Sequence, residues 1–167
     1  MKFWISQMMA WLMKKMGEDF SCTDLSYADL SDAKLSDANL SGANLVGTNL
    51  SGVNLSNTKI GGADFVSADL SNANLSGADL SIIMANYEGD KYLKPVVTNL
   101  ENANLSGVNF SNANLENVNL SNADCRKAKL KSKQLQDVSS FDGADFRSTG
   151  IKSADLPSDK GTPITDE

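Results

Sequence analysis

A large apolar residue stands at every fifth position from Leu25 to Leu80: Leu25, Leu30, Leu35, Leu40, Leu45, Leu50, Leu55, Ile60, Phe65, Leu70, Leu75 and Leu80. Two places before most of them is alanine, as at Ala28, Ala43, Ala63 and Ala78, with Thr48, Val53 and Thr58 filling other units. Between the small and the large residue lies a polar one, usually Asn or Asp. The unit reads Ala-(Asp/Asn)-Leu-Ser-X. On an α-helix every fifth residue advances by about 140°, so the leucines would scatter around the cylinder. On a straight strand side chains alternate, so successive leucines would point to opposite faces. Neither regular element buries this set.

Three extended residues followed by a two-residue turn do bury it. The small and large residues then face inward together, and the residue between them faces out. Ser-Gly, Ser-Asn and Ser-Asp are turn formers and make the corner. Repeating the corner winds the chain around its own leucines. The coils stack at the ordinary strand spacing of about 4.8 Å. The expected fold is an all-β solenoid, 18–156, with Leu25, Leu30, Leu45, Leu50, Phe65, Leu70, Leu105, Phe110, Cys125 and Phe146 in its core.

Strings such as Ala28-Asp-Leu-Ser-Asp and Ala78-Asp-Leu-Ser-Ile resemble the pentapeptide-repeat family, abundant in cyanobacteria, over about residues 20 to 156. The resemblance implies a right-handed quadrilateral β-helix with four pentapeptides per coil. Residues twenty apart would then be stacked neighbours, with Leu25, Leu45 and Phe65 in one interior ladder and Asn54 beneath Asn74 outside.

Three breaks interrupt the period. Residues 1–17 carry Trp4, Ile5, Met8, Trp11, Leu12 and Met16 on one helical arc and end at Gly17, which predicts an α-helical cap over the first coil. A membrane-surface helix is the alternative, because Trp, Met and lysines suit a lipid interface. The second break is 81–97. Leu80 and Leu100 keep the phase, so the segment is either a decayed coil or about three units of loop leaving a corner. Tyr87, Tyr92 and Pro95 among mixed charges favour the loop. The third lies between Leu135 and Phe141, where the period shifts by one residue and implies a bulge. Lys133 also stands where a small inward residue belongs. The polar tail 157–167, with Pro157 and Pro163, is expected to be disordered.

The chemistry the chain excludes narrows its function. Its 167 residues contain no histidine, the commonest general base and metal ligand. Cys22 and Cys125 would lie several coils apart, too far for a disulfide, which suits a reducing bacterial cytoplasm. Two thiols without histidine make no zinc site. Ser31-Asp-Ala-Lys34 imitates the nucleophile signature of penicillin-binding enzymes but arises from the repeat. The net charge of −6 gives no reason to expect direct nucleic-acid binding. No cofactor and no enzyme activity are expected.

Charge is unevenly spread. Between Glu18 and Leu80 nine acidic residues oppose Lys34 and Lys59, whereas between Leu100 and Leu135 five basic residues oppose Glu101, Glu116 and Asp124. The reading that follows is a non-enzymatic protein-interaction scaffold, a monomer or weak dimer with an unidentified protein partner. Tyr87, Tyr92, Arg126, Lys127 and Lys129 are its candidate contact residues. Because some family members resemble duplex DNA and bind DNA gyrase, duplex mimicry is the first alternative. Membrane-surface attachment through 1–17 is the second.

Overall fold

The computed structural model describes residues 19–81, 83–85 and 94–166. The predicted helix over 1–17 lies outside them, and among the described residues no helix is long and apolar enough to cross a membrane.

Each pentapeptide is a short extended segment and a β-turn. Ala28 N donates to Leu25 O at 3.1 Å and Ala73 N to Leu70 O at 2.9 Å, closing the corners between them. The second corner residue is left-handed, with φ of 57° at Asn57 and 59° at Asn72. Only Gly, and to a lesser degree Asn and Asp, tolerates that region well, hence their recurrence at X. The outward Asn or Asp ties the corner down. Asn49 Oδ1 accepts from Ser51 N at 3.1 Å, and Asp69 Oδ1 from Ser71 N at 2.9 Å. Asn and Asp side chains have the length to bond their own backbone two residues on, and hydroxyl side chains do so more weakly.

Stacking is parallel, with Asp24 bridged to Asn44 and Asn44 to Asp64. The spacing of twenty gives four pentapeptides per coil, hence four faces. All ten residues expected in the core are fully buried, and the repeat alanines from Ala28 to Ala144 are buried beside them. Buried Thr48 donates its hydroxyl to Leu25 O at 3.0 Å and Thr58 to Leu55 O at 2.7 Å, so neither leaves a polar atom unpaired. Because a coil touches only its neighbours, each buried leucine adds about 1.5–3 kcal/mol of local transfer energy.

Across 81–97 the bridge spacing changes from 20 to 35: Asp64 pairs with Asn99 and Asp79 with Asn114. Fifteen residues therefore leave the ladder at the corner between Leu80 and Thr98, and the coil resumes in phase. The insertion starts and ends as an antiparallel pair, β1 (Ile83–Ala85) and β2 (Lys94–Val96), with Ile83 opposite Val96. Thr98 rejoins the coil with its hydroxyl between Leu80 O at 2.7 Å and Ile60 O at 3.1 Å.

The phase shift is a bulge at Ser139–Ser140. Ser139 N donates to Val118 O and Leu120 N to Ser140 O, so two residues oppose Asn119. Before it, Ser132–Leu135 winds into a 3₁₀ helix that turns Lys133 outward while Leu135 stays buried. The tail departs from expectation. Rather than being disordered, residues up to Asp166 add a partial coil: Asp145 bridges Ile164, Phe146 N donates to Ile164 O at 2.7 Å, and Ile164 N to Ala144 O at 2.7 Å. Composition suggested disorder, but Phe141 and Phe146 end the core with a ring pair that needs a cover. Ala154, placed inward by the period, is exposed within the 3₁₀ turn Ser153–Asp155.

Candidate interaction surface

Two surface features stand out from the regular faces. The first is the seat of the insertion. Gly61 and Gly62 form a corner made of two glycines, and both are buried. A Cβ on Gly62 would fall 2.6 Å from Ile83 Cγ1 and 3.3 Å from Val96 Cγ1, and one on Gly61 would collide with Ser81 O. The hairpin therefore lies down on a corner stripped of side chains, and Ile83 reaches on toward the Gly42 corner of the next coil. Gly62 N is also held, donating to Thr98 Oγ1 at 3.0 Å. Tyr87 and Tyr92, the aromatic contact candidates, lie outside the described residues.

The second feature is a positive corner. Arg126, Lys127, Arg147, Ser148 and Asp166 line most of a groove of about 580 Å³. Arg126 donates Nε to Asp124 Oδ1 at 2.9 Å and Nη2 to Asp124 Oδ2 at 2.7 Å, and its Nε stands 3.9 Å from Asp145 Oδ2. Arg147 Nη2 meets Asp145 Oδ2 at 2.6 Å. Hydrogen bonding from Arg147 holds the Asp145 carboxyl below its usual range, and Arg126 does the same for Asp124 against the opposing charge of Asp145. Lys127 is exposed on a left-handed corner, and Lys129 is exposed on the neighbouring face. The structure thus gathers Arg126 and Lys127 in one groove and places Lys129 in another. The sequence reading missed Arg147, Gln134 and the two glycines. Gly61-Gly62 was a readable signal, because it is the one corner among the described repeats that pairs two glycines, where Gly42, Gly52, Gly77 and Gly107 each follow a serine.

Reactive chemistry is sparse. Among the described residues no group of His, Cys, Asp or Glu could hold a metal ion. Cys125 is buried, and burial followed by the nearby Asp124 charge pushes its thiol far above the ordinary range, leaving it a core side chain.

The fold and these surfaces define a repeat solenoid whose polar groups either lock its corners or face outward. The family model for pentapeptide repeats matches residues 19–57, 48–81 and 98–132 in 8 copies, and the chain belongs to that family. Its fold is thus a right-handed β-helix solenoid. Among solved structures it is similar to the pentapeptide repeat protein Rfr23 from the cyanobacterium Cyanothece 51142, at 26% identity over 77% of this chain and 60% of that one, with a TM-score of 0.45. It is also similar to HetL, a pentapeptide repeat protein involved in heterocyst differentiation regulation in Nostoc sp. strain PCC 7120, at 28% identity, 77% and 60% coverage, and a TM-score of 0.31. A third is full-length QnrB1, a plasmid-mediated fluoroquinolone resistance protein, at 17% identity, 89% and 80% coverage, and a TM-score of 0.37. The chain spans 60% of the length of the first two. No curated protein matches it significantly.

Proposed function

We propose that this chain is a non-enzymatic scaffold that binds a protein partner through the insertion 81–97 and the exterior beside it. One observation carries the reading. The coil needs no hairpin to close its corner, yet Gly61 and Gly62 remove every side chain from the spot where Ile83 and Val96 sit. Two glycines in a corner lose more conformational freedom on folding than the usual Ser-X pair. A tolerated surface insertion would not require a matching seat one coil below. The seat holds Ile83 and Val96, and Tyr87 and Tyr92 lie between these two in the sequence; tyrosines are enriched among the anchors of protein contacts.

The test is co-purification from the native source with the full chain and with a Tyr87→Ala, Tyr92→Ala double variant, folding checked by circular dichroism. A protein captured by the parent and lost by the folded variant supports the reading. Equal capture by both would remove the insertion from it. Duplex mimicry of the gyrase-binding kind draws less support, because Arg126 and Arg147 interrupt the negative column at Asp124 and Asp145.

A further inference from the structure

On one face of the coil the second corner residue and the large apolar residue each donate to the coil above, as Asn57 N does to Ser76 O and Ile60 N to Asp79 O. Gly77 N donates to Ser111 O at 2.9 Å and Leu80 N to Asn114 O at 3.1 Å. One coil later the same two positions are Asn112 and Leu115, whose partners in register would be residues 131 and 134. Because Ser132–Leu135 is wound into a 3₁₀ helix, neither N–H has an acceptor among the described residues. One rung is replaced by a side chain. Gln134 Nε2 donates to Ala113 O at 3.0 Å and Phe110 O at 2.8 Å, while its Oε1 accepts from Lys131 N at 3.0 Å.

The displaced arc leaves a groove of about 620 Å³ lined by Ala113 and Leu115, with the half-buried Leu130 beside them. Lys129, Lys131 and Lys133 also line it, none of them ion-paired among the described residues. Glu116 and Asp137 complete the charged lining. They lie toward one end, where Asn117 N donates to Asp137 O at 2.7 Å. What the groove lacks, among the described residues, is acceptors for its two backbone donors and ion-pair partners for its three lysines. The segment that edges the groove stacks on the last coil segment before the insertion, since Leu80 N donates to Asn114 O.

We propose that this groove accepts an extended polypeptide segment bearing acidic side chains, added as a strand along Asn112–Leu115. Two of its carbonyls accept from Asn112 N and Leu115 N, and its carboxylates meet Lys129, Lys131 and Lys133. Backbone pairing of this kind supplies affinity, and the flanking side chains supply selectivity. The proposal deepens the scaffold reading by naming a partner class, and rests on it.

The probe is a short labelled peptide of alternating glutamate and valine, compared with a lysine–valine peptide and a single-stranded oligonucleotide. Binding is followed by anisotropy, and amide exchange of the full chain is followed by nuclear magnetic resonance. The acidic peptide is expected to bind and to slow exchange at Asn112 and Leu115 by about tenfold. Combining Lys129→Glu, Lys131→Glu and Lys133→Glu, all at exposed positions, should weaken it by about tenfold or more. Binding that leaves those two amides unchanged overturns the proposal, as does equal binding of the lysine peptide. Preferential binding of the oligonucleotide, or indifference to the charge reversal, overturns it too. The Tyr87→Ala, Tyr92→Ala variant should bind the peptide as the parent does. Failure of the groove and failure of the insertion are thereby told apart.

Discussion

Asn49 lies directly over Asp29, its Nδ2 donating to Asp29 Oδ1 at 3.0 Å. The same column runs on through Asp69, Asn104, Asp124 and Asp145, so carboxylate and carboxamide alternate until the last pair. Asn104 repeats the arrangement, donating to Asp69 at 3.1 Å. Alternation lets each carboxylate receive a donor and keeps like charges two coils apart.

Asn49→Asp should therefore stack three carboxylates at adjacent coils. Like charges about 5 Å apart in a solvated setting cost about 1 kcal/mol per pair, and the lost hydrogen bond adds about as much. Chemical denaturation at pH 7 should show this loss. Added salt should shrink it, and so should lowering the pH below the aspartate range. A deficit unchanged by both would mean the column is not electrostatic.

At the end of that column Asp124 and Asp145 do stack, and Arg126 and Arg147 compensate them. Both carboxyls are held below the ordinary aspartate value of 3.8. A carboxyl depressed in the folded state stabilises the fold above its unfolded pKa, and that contribution fades as pH falls through the folded one. The C-terminal coils should thus lose stability below about pH 4. In an Arg126→Ala, Arg147→Ala variant the depression shrinks, because only the backbone N–H bonds to the carboxylates remain, so stability at pH 7 falls and less is left for acid to remove. Urea midpoints measured from pH 7 down to pH 3 would check both.

Gly62→Ala combines two penalties. Its φ of +69° is left-handed, costing an L-residue about 1–2 kcal/mol, and the new methyl meets Ile83. Gly52 has φ of +71° but nothing within 4 Å. Gly52→Ala should show the backbone cost alone. Gly62→Ala should exceed it by about 1 kcal/mol or more, the usual cost of overpacking. Equal losses would mean that the hairpin rests only loosely on its seat.

Leu105→Ala removes a fully buried side chain from the middle of the stack and should cost about 2–5 kcal/mol. Thiol labelling of the native protein offers a companion measurement. Exposed Cys22 should react promptly and buried Cys125 only on unfolding, so Leu105→Ala should speed labelling of Cys125.

The amino-acid sequence alone determined the coil. A period of five is incompatible with helix or straight strand, so the leucines could share an interior only if the backbone turned after every third extended residue. The break after Leu80 and the bulge after Leu135 were legible because they interrupt or shift that same period. Only the tertiary structure decided how the breaks are used, because that depends on which residues the neighbouring coil supplies. It laid Ile83 on Gly62, set Gln134 beneath a missing rung, paired Arg147 with a stacked carboxylate and folded the polar tail over Phe146. Local composition cannot report such contacts. They depend on which coil ends up next to which, and a 15-residue insertion or a one-residue bulge resets that register for everything that follows.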